Sequence, residues 1–337
     1  MPLVAALLAV LLGASAASAQ PPVADRTLDL ESFGSWLEDV RQEALSRGLR
    51  PATVDRAFAG IAPVPRVLER DRAQAEFTLS LDDYLKRRLD SYTVRTARRM
   101  MARHRTVLRR VSNHYGVDAR ILVAIWGLES GFGRITGARP TIPVLATLAW
   151  DGRRGEFFRS QLFDALTILD RGDIEIGRLK GSWAGAMGQV QFMPSSYLTW
   201  AEDFDGDGRR DIWSSMPDVF ASIANYLKGH GWVDRPWGFA VRVPGAARDD
   251  IGAMPARTSG CRAMRTLTQQ ATLAEWRRMG VVLAGGTPLP ASSRPASLLQ
   301  IDDRAWLVTP SYEAILAYNC AHSYALSVGM LADRLPK

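Results

Sequence analysis

The sequence predicts a mainly α-helical protein of the α+β class. Apolar residues recur at helical spacing over most of residues 28–235 and again over 311–335, whereas strand-like runs are confined to residues 236–310. Among the 337 residues, 47% are apolar and 23% are charged, which is a globular composition. This composition excludes a disordered chain, a collagen-like chain and a protein with many membrane spans.

The first residues predict export. Residues 2–17 carry no charge and centre on the apolar run Leu3–Leu12, and Ala17-Ser18-Ala19 then matches a signal-peptidase pattern. We therefore expect a signal peptide at residues 1–19, with a buried N-terminal helix as the alternative. The apolar run is too short to span a bilayer. Because no cysteine for a lipid anchor lies near the cleavage site, we expect an exported soluble protein.

Residues 28–110 predict an N-terminal helical region. Pro51 begins a second short helix, and Pro63 and Pro65 interrupt the next stretch. Residues 78–115 predict one long basic helix, whose many arginines we interpret as a solvent-exposed face. The apolar positions that define the first helix are Phe33, Trp36, Leu37, Val40 and Ala44.

The charge balance narrows the possible partners. The formal net charge is +7, from 42 lysine and arginine residues against 35 aspartate and glutamate residues. This charge predicts attraction to an anionic partner, and export argues against nucleic acid as that partner. The sequence has no H-E-x-x-H pair, no G-x-S-x-G elbow and no phosphate-binding loop, so it gives little support to those catalytic classes.

Residues 118–131 predict an apolar helix with one acidic residue near its end. Ile121, Ile125 and Leu128 form an apolar stripe. Glu129 lies on the edge of that stripe. Burial of a carboxyl raises its pKa toward the range that a general acid needs near neutral pH. The alternative is a structural glutamate that caps the helix or pairs with an arginine.

Residues 181–197 combine glycine, neutral polar and aromatic residues, a mixture that suits a sugar. Gly181, Gly185 and Gly188 allow the backbone to approach a ligand closely. The alternative is a tight crossing of a helix and a loop. The polar residues are Ser182, Gln189, Gln191, Ser195 and Ser196, and the aromatic residues are Trp183, Phe192 and Tyr197.

Residues 203–213 are similar to a calcium-binding loop, because aspartates alternate there around glycines. The standard loop ends in a glutamate at its twelfth position, but this chain has Ser214 there. We expect a structural Ca²⁺, with Na⁺ or an empty acidic turn as the alternatives. The candidate ligands, of which Arg209 would contribute its carbonyl, are Asp203, Asp205, Asp207, Arg209 and Asp218.

The last quarter of the chain changes character. Residues 236–310 predict a small strand-containing subdomain, and residues 311–335 predict a C-terminal helix that returns to the core. Cys261 and Cys320 lie in these two regions. In an oxidising compartment they can form a disulfide, and the alternative is two free thiols.

The sequence resembles the B-type lytic murein transglycosylases over nearly the whole mature chain. The glycine-rich motif is the most specific part of this resemblance. The segments that carry it are Glu129–Gly133, Gly181–Gly188, Gln191–Ser196, Ala224–Tyr226, Asp71–Phe77, Tyr318–Asn319 and Tyr324–Ala325.

The resemblance implies a lysozyme-like catalytic core at residues 111–235, which includes the calcium-type loop. It implies cleavage of the MurNAc–GlcNAc β-1,4 bond of peptidoglycan without water, leaving a 1,6-anhydro-MurNAc end. Glu129 would serve first as the acid and then as the base, with no cofactor for catalysis. A periplasmic location is implied as well.

The resemblance also assigns substrate-binding roles. Ser182 and Gln191 would hold the sugar near the scissile bond, and Arg153 and Arg154 would hold the carboxylates of stem peptides. One departure is Cys320-Ala321, where the family has His-Ser, and it favours a Cys261–Cys320 bond. The residues expected to line the cleft are Tyr226, Tyr318, Asn319 and Tyr324.

The expected partners are the glycan strands and stem peptides of peptidoglycan, bound by a monomer without a membrane span. Two other functions stay open. A hydrolytic muramidase of the same fold differs only in admitting water, and a non-catalytic murein-binding protein would keep the calcium loop for structure alone.

Overall fold

The computed structural model describes residues 29–73, 79–233, 236–255 and 257–336. The predicted signal peptide lies outside the described residues, as does the part of the Asp71–Phe77 motif after Ala73. Within the described ranges, no helix is both long enough and apolar enough to cross a membrane.

Six helices form the N-terminal region. Asp29, Ser80 and Asp90 each cap a helix by accepting a hydrogen bond from a backbone N–H of its first turn. Pro51 is the first residue of its helix, where its missing N–H costs nothing. The six helices are α1 (Leu30–Ser46), α2 (Pro51–Phe58), α3 (Pro65–Ala73), α4 (Leu81–Arg88), α5 (Ser91–Arg103) and α6 (Arg105–Tyr115).

The single basic helix predicted over residues 78–115 is wrong, because the structure has three helices there. Leu89 leaves helical geometry and Asp90 then caps α5. His104, with φ −103° and ψ 18°, separates α5 from α6. The bends let α5 and α6 both pack against the following helix, α7 (Ala119–Ser130).

The central part of the chain wraps around α7, which has nine of its twelve residues buried. Its hydrophobic core is continuous with that of the N-terminal helices, from Phe33 to Leu335, so residues 29–110 have no separate core. The other elements of this part are β1 (Arg139–Pro140), α8 (Thr141–Asp151), α9 (Gly155–Arg171), β2 (Lys180–Gly181), α10 (Pro194–Trp200) and α11 (Met216–Gly229).

A five-stranded antiparallel sheet follows, with its own small core around Leu273, Trp276 and Leu298. The strand order is β4-β6-β7-β3-β5, and β6 and β7 form its central hairpin. The elements are β3 (Gly238–Arg242), α12 (Arg248–Gly252), β4 (Ala271–Thr272), α13 (Leu273–Arg278), β5 (Val282–Leu283), β6 (Pro295–Ile301) and β7 (Arg304–Val308).

The predicted single C-terminal helix is two helices, α14 (Pro310–Tyr318) and α15 (His322–Asp333). Asn319 and Ala321 have extended backbone, so the chain turns between the helices. The residue between them, Cys320, forms a disulfide with Cys261, with the two Cα atoms 6.1 Å apart. The disulfide therefore joins the turn to the loop that leads into β4.

We expect replacement of both cysteines by serine to lower the free energy of unfolding. The bond closes a loop with a sequence separation of 59 residues, and loop-closure entropy for such a length corresponds to about 4 kcal/mol. Chemical denaturation of the oxidised protein and of the double variant measures the difference. Wild-type protein treated with dithiothreitol should match the variant, and equal stability of oxidised and reduced wild type would contradict the expectation.

Candidate active site

Glu129 lies in the last turn of α7, where the helix ends at Gly131 in left-handed geometry with φ 58°. The hydroxyl of Tyr324, on α15, donates a 2.6 Å hydrogen bond to Glu129 Oε1. Burial raises the pKa of Glu129 to about 7, and the Tyr324 hydrogen bond and the Arg88 charge offset part of that rise. The carboxyl can therefore both give and take a proton near neutral pH.

Three tyrosines predicted to line the cleft do converge around Glu129 and the glycine-rich segment. Tyr318, on α14, donates a 2.7 Å hydrogen bond to the carbonyl of Val190. The ring of Tyr226, on α11, lies tilted against that of Tyr318 with the centroids 4.8 Å apart, and the Tyr226 hydroxyl donates to the carbonyl of Ala317. Burial beside the Glu129 charge holds the pKa of Tyr318 well above its usual range, so its hydroxyl stays protonated.

The glycine-rich segment folds as a tight hairpin. Met187 pairs with both Gly181 and Phe192. A Cβ on Gly137 would lie 2.0 Å from the carbonyl carbon of Gly181, so these two backbones touch. The close approach explains why the segment needs glycine, and it places the polar residues of the hairpin beside the turn that follows Glu129.

Ser182 and Gln191, the two predicted sugar-binding residues, both support this hairpin. Ser182 Oγ accepts hydrogen bonds from the backbone N–H groups of Ala184 and Ala186. Gln191 has φ 52°, rare for a residue with a side chain, and its amide donates to the carbonyl of Gly188. Among the described residues, none bonds to the Ser182 hydroxyl hydrogen or the Gln191 carbonyl oxygen, so both can serve a ligand.

Arg153 and Arg154 have an internal partner that the sequence did not indicate. Both guanidinium groups form ion pairs with Asp71, whose side chain is 3% exposed. The two arginine side chains are 47% and 43% exposed. A carboxylate of a ligand would therefore meet one net positive charge here, not two. Asn319, the remaining predicted substrate residue, lies exposed at the turn between α14 and α15.

The acidic loop brings three carboxylates together. Ligand oxygens of Asp203, Asp205 and Asp218 all lie within 4.8 Å of one another. Asp218 is fully buried, and its two oxygens accept backbone hydrogen bonds from Phe204 and Asp211. The pKa of Asp218 is raised to about 6, mainly by burial and with a contribution from the Asp205 charge, and the two backbone hydrogen bonds offset part of the rise.

Asp207, predicted as a ligand, is not part of this group. Its Oδ1 accepts a hydrogen bond from the backbone N–H of Arg209. Ser214, at the position of the missing glutamate, instead bonds to Asp211. The buried Asp218 therefore supplies the third carboxylate from the first turn of α11. An oxygen-only set of this kind fits Ca²⁺ or another hard cation.

Sequence reasoning missed one residue of the site, Arg88, and named another, Gln189, without its structural role. Arg88 donates a hydrogen bond to the carbonyl of Leu128 and places its charge beside Glu129, yet its sequence context is that of an exposed basic helix. Gln189 accepts from the indole of Trp126 and donates to the carbonyl of Trp213, which fixes the hairpin against α7. The polar character of the glycine-rich segment was the only signal for Gln189.

A helical core whose central helix ends in one buried glutamate, beside a glycine-rich hairpin, defines the lysozyme-like class of fold. Comparison with known protein families identifies the family to which the chain belongs. The family model described as "Transglycosylase SLT domain" matches residues 32–333. The chain belongs to this family.

Individual relatives support the same family assignment. The chain is 35% identical over 233 residues to membrane-bound lytic murein transglycosylase B of Escherichia coli, covering 67% of this chain and 59% of that relative's length. A crystal structure of SltB3 from Pseudomonas aeruginosa in complex with NAG-anhNAM-pentapeptide is similar at TM-score 0.81 and 46% identity, covering 90% of this chain and 79% of that one.

A third relative has been solved in complex with calcium. The Escherichia coli lytic transglycosylase Slt35, in a crystal structure with calcium, is similar at TM-score 0.73 and 26% identity. The similarity covers 91% of this chain and 93% of that one.

We expect Glu129→Gln to stabilise the protein at alkaline pH. The folded pKa of about 7 lies above the ordinary value of 4.5, so the folded wild type holds its proton more tightly and loses stability as the pH rises through this window. A glutamine is neutral throughout. The difference in unfolding free energy should be near zero at pH 4 and reach about 3 kcal/mol above pH 7.

Chemical denaturation of both proteins at several pH values measures this difference. The matched control is Glu156→Gln, since Glu156 is exposed on α9, and it should show no such pH dependence. A Glu129→Gln protein that is no more stable than wild type at pH 8 would contradict the raised pKa.

Proposed function

We propose that this protein is a lytic transglycosylase that cleaves the MurNAc–GlcNAc β-1,4 bond of peptidoglycan without water and leaves a 1,6-anhydro-MurNAc end. The observation that carries the proposal is Glu129, a carboxyl with a pKa of about 7 whose described neighbours supply hydroxyl groups and a guanidinium but no second carboxylate. Glycosidases that use water generally employ two carboxylates.

One carboxyl is sufficient if it acts twice. Protonated Glu129 gives its proton to the glycosidic oxygen as the bond from that oxygen to the anomeric carbon breaks, and the bonding electrons go to the oxygen. The Glu129 carboxylate then takes the proton of the C6 hydroxyl while the C6 oxygen bonds to the anomeric carbon. Glu129 ends protonated, as it began, and no water is consumed.

The residues around Glu129 support this cycle. Tyr324 donates to Glu129 Oε1 and so stabilises the carboxylate formed between the two steps. The hairpin of Ser182 and Gln191 presents polar atoms beside Tyr318, whose half-buried ring would offer an apolar face to a sugar, and the buried Tyr226 packs against Tyr318. Arg153 and Arg154 complete the proposed substrate residues, with their exposed guanidinium edges directed to peptide carboxylates. The SltB3 complex supports this class of substrate.

The acidic loop forms the second part of the proposal. Asp203, Asp205 and Asp218 would hold a Ca²⁺ ion, which would neutralise their mutual repulsion and fix the loop against α11. The ion takes no part in the cleavage steps. The Slt35 structure with calcium supports this assignment.

The compartment and assembly complete the proposal. An exported, periplasmic monomer would meet murein as its substrate. The leader-like sequence at residues 1–19 and the Cys261–Cys320 bond, which persists in oxidising compartments, support export.

Digestion of purified murein sacculi tests the activity. We expect muropeptides with anhydro ends by mass spectrometry, and a loss of cleavage of about 100-fold or more in Glu129→Gln, because the reaction loses its only acid and base. Glu156→Gln is the control. Products with reducing ends would show a hydrolytic muramidase, and binding of sacculi without release of fragments would show a murein-binding protein.

Thermal unfolding tests the calcium site. We expect Ca²⁺ to raise the Tm of chelator-treated protein, because a ligand that binds only the folded state stabilises it. Asp205→Asn should abolish the rise in Tm, because it removes one of the three clustered carboxylates. Asp205 is exposed, so the replacement does not disturb the core. Asp249→Asn, on exposed α12, should keep it. A Tm that does not respond to Ca²⁺ would refute the site.

A further inference from the structure

A cavity of about 390 Å³ lies beside the turn that follows Glu129. Its volume is in the range of small-molecule and peptide sites. Tyr324, Tyr318 and Arg88, the neighbours of Glu129, do not line it. The residues that line it are Tyr92, Thr96, Arg99, Met100, Arg103, His104, Trp126, Phe132, Gly133, Arg134, Gln189 and Met216.

The cavity concentrates positive charge. Arg99 and Arg103 lie one turn apart on α5, so their side chains project from the same face. Arg134 reaches the cavity from the turn after α7. No aspartate or glutamate lines the cavity, and within the described ranges these three arginines form no ion pair.

In this respect the cavity differs from the arginine clusters that hold a carboxylate. Arg153 and Arg154 share the buried carboxylate of Asp71, and Arg120 pairs with Asp118. Like charges four residues apart on a helix repel one another. A bound anion would relieve this repulsion between Arg99 and Arg103, which are both exposed on α5.

Arg134 is already held in position by neutral groups. It donates to the hydroxyl of Tyr92 at 2.6 Å and to the carbonyl of Gly131 at 3.0 Å, and it lies over the Tyr92 ring. These contacts orient the guanidinium without cancelling its charge. The rings of Phe132 and Trp126, packed edge to face with centroids 5.5 Å apart, give the cavity an apolar wall.

We propose that this cavity binds the carboxylate-bearing end of a murein stem peptide, at a site separate from the cleavage site. This inference rests on the proposed function for the identity of the peptide. Guanidinium groups match carboxylates as bidentate donors, and the apolar wall suits the methyl groups of alanine residues. A bare phosphate would satisfy the charges and leave Phe132, Trp126 and Met100 unused.

Such a site would add a second attachment point on a polymer that repeats its peptides. Binding at two sites of one polymer raises the effective concentration at each. The enzyme would then stay on the sacculus while Glu129 acts on a nearby glycan strand.

Isothermal titration calorimetry with a free synthetic stem pentapeptide, which lacks sugar, tests the site in the Glu129→Gln protein. We expect Arg99→Ala/Arg103→Ala to weaken binding by about 10-fold or more, because charged hydrogen bonds are lost. The charge-matched control is Arg66→Ala/Arg95→Ala, which removes two exposed arginines outside the cavity and should leave the affinity unchanged.

Several results would overturn the site. Equal affinity in the Arg99/Arg103 variant and the control would do so, as would peptide binding that depends on Arg154→Ala and not on Arg99 and Arg103. Inorganic phosphate or anionic lipid vesicles that bind the cavity as well as the peptide does would refute its peptide selectivity. Because the assay needs no cleavage, failure to form anhydro ends would count against the proposed function alone.

Discussion

Burial of the Glu129 carboxyl is the constraint on which the rest of the structure depends. A carboxylate in an apolar setting is costly unless hydrogen-bond donors meet it. The sequence supplies the apolar setting locally, since α7 is buried on nearly every side. The donor and the compensating charge come from far along the chain, Tyr324 from α15 and Arg88 from α4. The site is therefore complete only when both ends of the chain close over α7.

The last hundred residues accomplish this closure. The chain leaves the core after α11, forms the five-stranded sheet and returns as α14 and α15. Trp237 fixes the return, because a Cβ on Gly329 would lie 2.3 Å from its ring, and its indole bonds to Asp333. The Cys261–Cys320 bond fixes the turn between the two helices. Tyr318 and Tyr324 flank that turn, so its geometry sets the spacing of both hydroxyls around Glu129.

Features that depend on neighbouring residues could be predicted from the sequence, whereas features that depend on contacts between distant residues could not. The apolar stripe of α7 and the edge position of Glu129 are local patterns, and they correctly predicted a helix that ends just after Glu129. The helix break at His104 and the turn at Cys320 depend on packing between distant elements, and a periodicity argument missed both. The sequence did not indicate the ion pairs of Arg153 and Arg154 with Asp71 for the same reason, because more than 80 residues separate the partners.

Alternation of aspartates predicted the acidic loop, but only burial distinguishes Asp218 from Asp207.

The net charge of +7 divides into two kinds of arginine. One kind holds the N-terminal helices to the rest of the core through carboxylates, as Arg153 and Arg154 do with Asp71, and Arg159 with Glu43. Removing one partner from such a pair leaves a desolvated charge, so these arginines belong to the fold. The other kind has no carboxylate partner within the described structure, and among these arginines Arg99, Arg103 and Arg134 line one cavity. Net charge alone does not distinguish the two kinds, because each arginine counts as +1 whether or not an aspartate lies beside it. Attraction to an anionic polymer therefore depends on where the charge is left uncompensated.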